Sequence, residues 1–230
     1  MIRPVVADMA HFNPVDFAKF AASGGVGVIH KATQGVGVTD DQYAHRRPLA
    51  LAAGLKWGAY SFATGDDPQA HAKHFLAVAQ PDAATLLCLD FEDNPHSPMS
   101  GLQAYDFMRF VEDATGRMCW IYGGNRVAEQ ISPLAHASSA VADYFKARPL
   151  WLCQYKTGLG AIELADLKPH IRVPAPWADW TLLQYTGDGV GPLPHTAPGL
   201  ENGADLNAFD GTDDALRAAW AGGALNTGIV

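Results

Sequence analysis

The sequence predicts an α/β fold in which short buried strands alternate with helices and close, or nearly close, into a parallel barrel. Three observations carry this expectation. Apolar runs at 26–31, 56–63, 86–92, 118–122 and 150–155 are each closed by turn formers, as strands buried on both faces are. Stretches of helical spacing separate five or six of the strands, the alternation that builds a parallel sheet. The last third keeps its strands and loses proper helices, which suits a barrel finished by bare strands. An open doubly wound sheet is also compatible. No G-x-G-x-x-G follows the first strand, so its dinucleotide-binding version lacks support.

Each element has its own local reason. Residues 4–9 form an apolar run with Asp8 near its end, and His11-Phe12-Asn13-Pro14 turns the chain. Residues 16–23 place Phe17, Phe20 and Ala21 on one helical face, and Gly24-Gly25 stops them. After the strand at 26–31 comes a glycine-containing loop, then a helix over 40–53 with Gly54 as its C′ residue. A strand at 56–63 leads to a helix opened by Asp67-Pro68. Residues 101–115 repeat Phe107, Phe110, Val111 and Ala114 at helical spacing and end at Gly116. A helical stretch follows 118–122 and becomes less regular around 138–145. Beyond the strand at 150–155, residues 158–176 read as loop, 181–185 and 204–209 as strands, and 212–221 as a short helix. There is no internal repeat and no obvious linker, so residues 1–230 are expected to form one domain.

Composition excludes several classes. The 230 residues are 48% hydrophobic and 17% charged, enough to bury a core and too apolar for wholesale disorder. A net charge of −8 without a Lys/Arg run argues against nucleic acid. The most basic local features, Lys56 and the pair Arg46 and Arg47, read as solvated helix face. Cys88, Cys119 and Cys153 each sit in an apolar run and read as small buried hydrophobes. Nine histidines show no metal-ligand spacing, and no cofactor motif is present. MIRPVVADM lacks an apolar signal region and no membrane span is visible. The expectation is synthesis in the cytoplasm, with some other route out if the substrate lies outside.

The chemistry collects at strand ends. In LLCLDFE, Asp90 and Glu92 are two residues apart and share a face at the end of a buried strand. Close carboxyl groups repel, which raises one pKa and leaves the other group ionised. The other strand ends offer Asp8, Lys31, Tyr60, Phe62, Tyr122, Trp151 and Tyr155, and the later strands offer Gln184 and Asp205. In a parallel barrel the carboxyl ends meet on one rim. Four acids among aromatics form a carbohydrate-cleaving constellation, because rings stack on sugar faces and carboxyls supply acid, base or charge. Taken singly, Tyr60, Phe62 and Tyr122 read more readily as core aromatics, and Asp8 and Asp205 could cap turns. No G-x-S-x-G is present, and neither Ser61 nor Ser100 has an evident base.

The ordered segments VVADMAHFN, VIHKATQG, GAYSFA, LCLDFE, WIYGG, PLWLCQY, LLQYT and ADLNAF resemble glycoside hydrolase family 25, the Chalaropsis-type lysozymes, from about Val5 to Phe209. The resemblance implies a TIM-like α/β barrel of eight strands and about five main helices, (β/α)5(β)3-like. It also implies hydrolysis of the β-1,4 bond between N-acetylmuramic acid and N-acetylglucosamine in peptidoglycan. By position Glu92 would be the general acid, Asp90 would orient the substrate acetamido group or stabilise charge, and Asp8 and Asp205 would complete the acidic cluster. Tyr60, Phe62, Lys31, Tyr122, Trp151, Tyr155 and Gln184 would bind the glycan strand. Nucleophilic attack could come from the acetamido oxygen or from an activated water.

The implied protein is a monomeric lysozyme without cofactor, metal or membrane partner. It would be of endolysin type, reaching the wall after holin-type release or lysis, with no appended wall-binding domain. A chitinase-like glycosidase and an inactive peptidoglycan-binding module are the alternatives. The chain departs from the family pattern at Ala10 and Phe12 in the first motif, at Gln34 in place of a glutamate, and at Gln154 in place of an arginine.

Overall fold

The computed structural model describes residues 1–202 and 204–220. Eight strands close into a ring: β1 (Val6–Met9), β2 (Gly27–Gln34), β4 (Lys56–Phe62), β5 (Leu86–Asp90), β6 (Trp120–Gly123), β7 (Leu150–Cys153), β8 (Leu182–Thr186) and β9 (Asp205–Ala208). The ring closes because β1 pairs with both β2 and β9. The two-residue strand β3 (Val38–Thr39) folds back on β2 as a hairpin, within what the sequence presents as loop.

The barrel is not wholly parallel. Strands β1, β2 and β4 to β8 run in one direction, while β9 runs against both of its neighbours. Among the described residues no crossover helix lies between β8 and β9 to return the chain to the far end, so β9 starts where β8 finishes. Consequently the amino end of β9, not its carboxyl end, meets the rim.

Five substantial helices wrap the parallel strands: α2 (Tyr43–Ala52), α3 (Pro68–Ala79), α4 (Gly101–Thr115), α5 (Asn125–Ala137) and α6 (Ser139–Lys146). The short α1 (Phe17–Ala22) follows β1, α7 (Leu164–Leu167) lies in the long loop before β8, and α8 (Asp213–Trp220) follows β9. Sequence boundaries hold well where a cap is written into the chain. Asp67 caps α3 by accepting from Ala70 N, and Ser100 with Gln103 forms a capping box on α4, which ends at left-handed Gly116. The less regular piece after α5 is the helix α6, capped by Ser138. Ala221, the last residue of the expected terminal helix, lies outside the described residues. Among the described residues no helix is long and apolar enough to cross a membrane.

Two apolar layers follow from strand alternation. Outward residues pack with the helices, while Val6, Ile29, Leu86, Cys88, Trp120, Tyr122, Trp151 and Leu182 fill the barrel. The end opposite the rim is plugged by α8. Trp220 is fully buried and donates its indole N–H to Trp57 O at 2.9 Å. Gly27 makes room for it, since a Cβ there would lie 2.5 Å from the Trp220 ring.

The two arginines expected on a solvated helix face are instead struts. Arg46 donates to the carbonyls of Ala10, His11 and Asn13, and so holds the loop after β1. Arg47 donates to Ala79 O, Gln80 O and Asp82. A guanidinium carries five donors in a fixed fork, which lets one side chain satisfy several loop carbonyls at once.

Candidate active site

The acids meet at the rim. Asp8, Asp90, Glu92 and Asp205 line one small hollow of about 80 Å³ together with Tyr60, Tyr122 and Trp151. Backbone register explains the meeting. Asp8 of β1 stands level with Asp205 of antiparallel β9, and Asp90 is level with Tyr122 of β6 and Phe62 of β4. Asp90 is the last residue of β5, so Glu92 projects from the loop just beyond the strand rather than from the strand itself.

Burial dominates the electrostatics. Asp90 is almost wholly buried, and its pKa is raised well above the carboxylate range by desolvation, then by the charges of Glu92 and Asp8, against an opposing effect of Lys31. Asp8 is likewise raised by desolvation and by Asp205, although its hydrogen bond from Asn207 pulls the other way. Asp205 is raised to about 7 by desolvation, Asp188 and Glu92. Glu92 is raised by desolvation first and then by Asp93, with the Tyr122 hydroxyl opposing. The charge of Glu92 helps to raise Asp90, the more deeply buried of the two. Four acids with raised pKa values in one hollow hold protons at pH values where exposed carboxyls would be charged.

A hydrogen-bond chain positions this cluster. Trp151 Nε1 donates to Asn207 Oδ1 at 2.5 Å, and Asn207 Nδ2 donates to Asp8 Oδ2 at 2.7 Å. An indole can only donate, so it turns the Asn207 amide to present its NH₂ to Asp8. Tyr122 donates to Gln184 Oε1 and lies 3.5 Å from Glu92 Oε1. Asp90 Oδ1 is buried with no hydrogen-bond partner. Asn207 is the residue that sequence reasoning passed over. Its signal was its place two residues after Asp205, on the same face of the strand.

The other expected residues occupy distinct places. Tyr122 and Trp151 pack on each other with centroids 4.4 Å apart and form the floor of the hollow. Gln184 is fully buried beneath Tyr122 and does not line the hollow. Lys31 stands level with Tyr60, donates to Gln34 Oε1 at 2.8 Å and lies 5.2 Å over the Phe62 ring, so Lys31 and Phe62 make one neighbouring stretch of rim. The β2–β4 register shifts between Lys31 and Thr33, a bulge of the kind that re-aims side chains beside sites. Tyr155 lines the next hollow along, about 490 Å³, which also contains Glu92, Asp93, Cys153 and Gln154. Gly187 lets the loop after β8 approach, since a Cβ there would collide with Asp205 Oδ1 and the Tyr155 hydroxyl.

The departures also find places. Ala10 is buried, Phe12 stands exposed at the tip of the first loop, and Gln154 holds Arg172 through its backbone, accepting from N at 3.0 Å and donating to O at 3.1 Å. Among the described residues no group of three or more His, Cys, Asp or Glu side chains is placed to hold a metal ion.

Paired carboxyls at the mouth of an α/β barrel are the equipment with which glycosidic bonds are broken, and the chain is a glycoside hydrolase. The model of glycosyl hydrolases family 25 matches residues 7–192, and the chain belongs to that family. Asp205 and Asn207 lie beyond the matched span, so it is the fold that brings them to the site. Among solved structures, a muramidase from Acremonium alcalophilum is 26% identical with a TM-score of 0.71, covering 94% of this chain and 98% of its own. A family GH25 lysozyme from Aspergillus fumigatus is 26% identical with a TM-score of 0.69 over the same shares. A bacterial lysozyme from Streptomyces coelicolor, at 24% identity, shares the fold with a TM-score of 0.74 over 94% of this chain and 95% of its own. No curated protein is similar enough in sequence to match.

Proposed function

We propose that this chain is a lysozyme that cleaves the β-1,4 bond between N-acetylmuramic acid and N-acetylglucosamine in peptidoglycan, with Glu92 as the general acid. The observation that carries the reading is the gathering of Asp8, Asp90, Glu92 and Asp205 around one hollow floored by Tyr122 and Trp151. Glu92 is the acid of choice because it alone also lines the wider neighbouring hollow, where a glycan strand has room. Burial favours its protonated form, against the Tyr122 hydroxyl that donates to Glu92 Oε1 at 3.5 Å.

Asp90 favours a substrate-assisted route. Its Oδ1 lies buried without a partner, and an acetamido N–H is a donor that would satisfy it. In the first step the acetamido oxygen bonds to the anomeric carbon, the glycosidic C–O bond breaks, and the leaving oxygen takes the Glu92 proton. Asp90 holds the acetamido N–H as positive charge develops. A water then gives its proton to Glu92 and attacks the anomeric carbon, releasing the acetamido oxygen. Two displacements at one carbon retain its configuration. Asp8, held by Asn207, and Asp205 complete the charge environment, while Tyr60, Lys31, Phe62 and Tyr155 contact the strand. The enzyme works as a monomer on the cell wall.

Digestion of purified peptidoglycan, with mass analysis of the new ends and NMR of the freshly formed anomeric centre, tests this reading. Muramic acid at the reducing ends, formed with retained configuration, is expected. Glucosamine ends would redirect the reading to a different glycosidic bond, inversion would remove the acetamido route, and binding without any release of ends would make the chain a binding module. Glu92→Gln should lower turnover by about 10²–10⁴-fold, the usual share of general acid catalysis, and leave the fold intact by circular dichroism. Undiminished clearing of cell walls by that variant would end the acid assignment.

A further inference from the structure

Away from the acids the groove continues and its character reverses. The hollow holding Glu92 and Asp93 shares Gly124, Asn125 and Gln154 with a larger one of about 750 Å³. The larger hollow is lined by Lys156, His170 and Arg172 and by no carboxylate, on a chain whose net charge is −8. Neither Lys156 nor Arg172 has an ion-pair partner among the described residues. The Gln154 amide grips the Arg172 backbone on both sides, and Arg172 itself stands exposed. The start of α5, which has no side-chain cap, faces the same space through Asn125. Leu152, Ala128, Val173 and Pro174 supply apolar wall between the cations. The volume and the mix of apolar wall with unpaired cations are those of a ligand site.

We infer that this second hollow binds the carboxylates of the peptide stem that hangs from muramic acid beside the bond being cleaved. The inference rests on the lysozyme reading above. The sugar rings of such a strand are uncharged, so the stem carboxyls are its anions. A guanidinium takes a carboxylate through two parallel hydrogen bonds, and an ammonium adds a mobile point charge. Placed one hollow away from Glu92, these cations would read the substituent of the muramic acid without touching the reacting atoms.

The test uses peptidoglycan strands first freed of phosphate polymers, in two forms: stems with free carboxyls, and the same stems after carbodiimide amidation. The native chain is expected to show kcat/KM about tenfold higher on the free-acid strands, carried mostly in KM, as about one added charged contact would give. In Lys156→Ala/Arg172→Ala that ratio should fall close to one, while Lys156→Arg should keep most of it. Equal action of the native chain on both forms, or an undiminished ratio in the double variant, would overturn the inference and leave the lysozyme reading standing. Failure to release ends from either form would instead overturn that reading and take the inference with it.

Discussion

Ionising Asp205 costs the folded state stability, because burial lifts its pKa from 3.8 to about 7. Between those values the native protein holds a proton that the unfolded chain has lost. Stability therefore falls as pH rises through that window and stays reduced above it. Asp205→Asn removes the ionisation, so its melting temperature should exceed that of the native chain by about 3–6 °C at pH 8. The advantage should vanish near pH 3, where both states of the native carboxyl are protonated. Thermal melts across pH decide it, and no gain at pH 8 would show that the carboxyl is not strained there. Such a gain at the expense of activity is the usual trade at a site held away from its own stability optimum. At this scale LLCLDFE was readable because a buried run ending in two acids is unusual in itself. Asn207 was not, because its importance lies in joining Trp151 to Asp8, partners 56 and 199 residues away.

The element that closes the barrel floor is α8. Its Trp220 fills the end opposite the acids, against Gly27 and the carbonyl of Trp57. Trp220→Ala should destabilise the protein by about 3–5 kcal/mol, the cost of deleting a fully buried large aromatic. Urea unfolding measures it, and a loss under about 1 kcal/mol would mean that the floor holds without the plug. Most elements were legible from local signals, since caps such as Asp67 and Gly116 depend on their own few residues. The hairpin β3 was not, because two residues in a glycine-containing loop carry no periodicity and are ordered only by pairing with β2. The direction of β9 was also hidden. Its alternation is the same read either way, and only the lack of a crossover helix before it makes it antiparallel.

Across the whole molecule, closure of the ring brings the acids within reach of one another's charge. Asp8 feels Asp205 and Glu92, Asp90 feels Glu92 and Asp8, and Lys31 opposes only part of this repulsion. Because burial raises the Glu92 pKa, kcat/KM should persist above about pH 4.3, the value of an unperturbed glutamate, and fall as pH rises through the elevated pKa. A rate already half lost at about pH 4.3 would contradict that elevation. The sequence by itself determined the alternation of buried strands and helices, the caps that bound them and the identity of the acids, because each depends on neighbours along the chain. Only the tertiary structure decided that residues as distant as Asp8 and Asp205 share one hollow, that Trp151 orients Asn207, and that Lys156 and Arg172 line a cationic hollow beside an acidic one. Those relations exist only once the barrel has closed, since ring closure sets β1 against β9 and burial, not sequence spacing, raises the acids' pKa values.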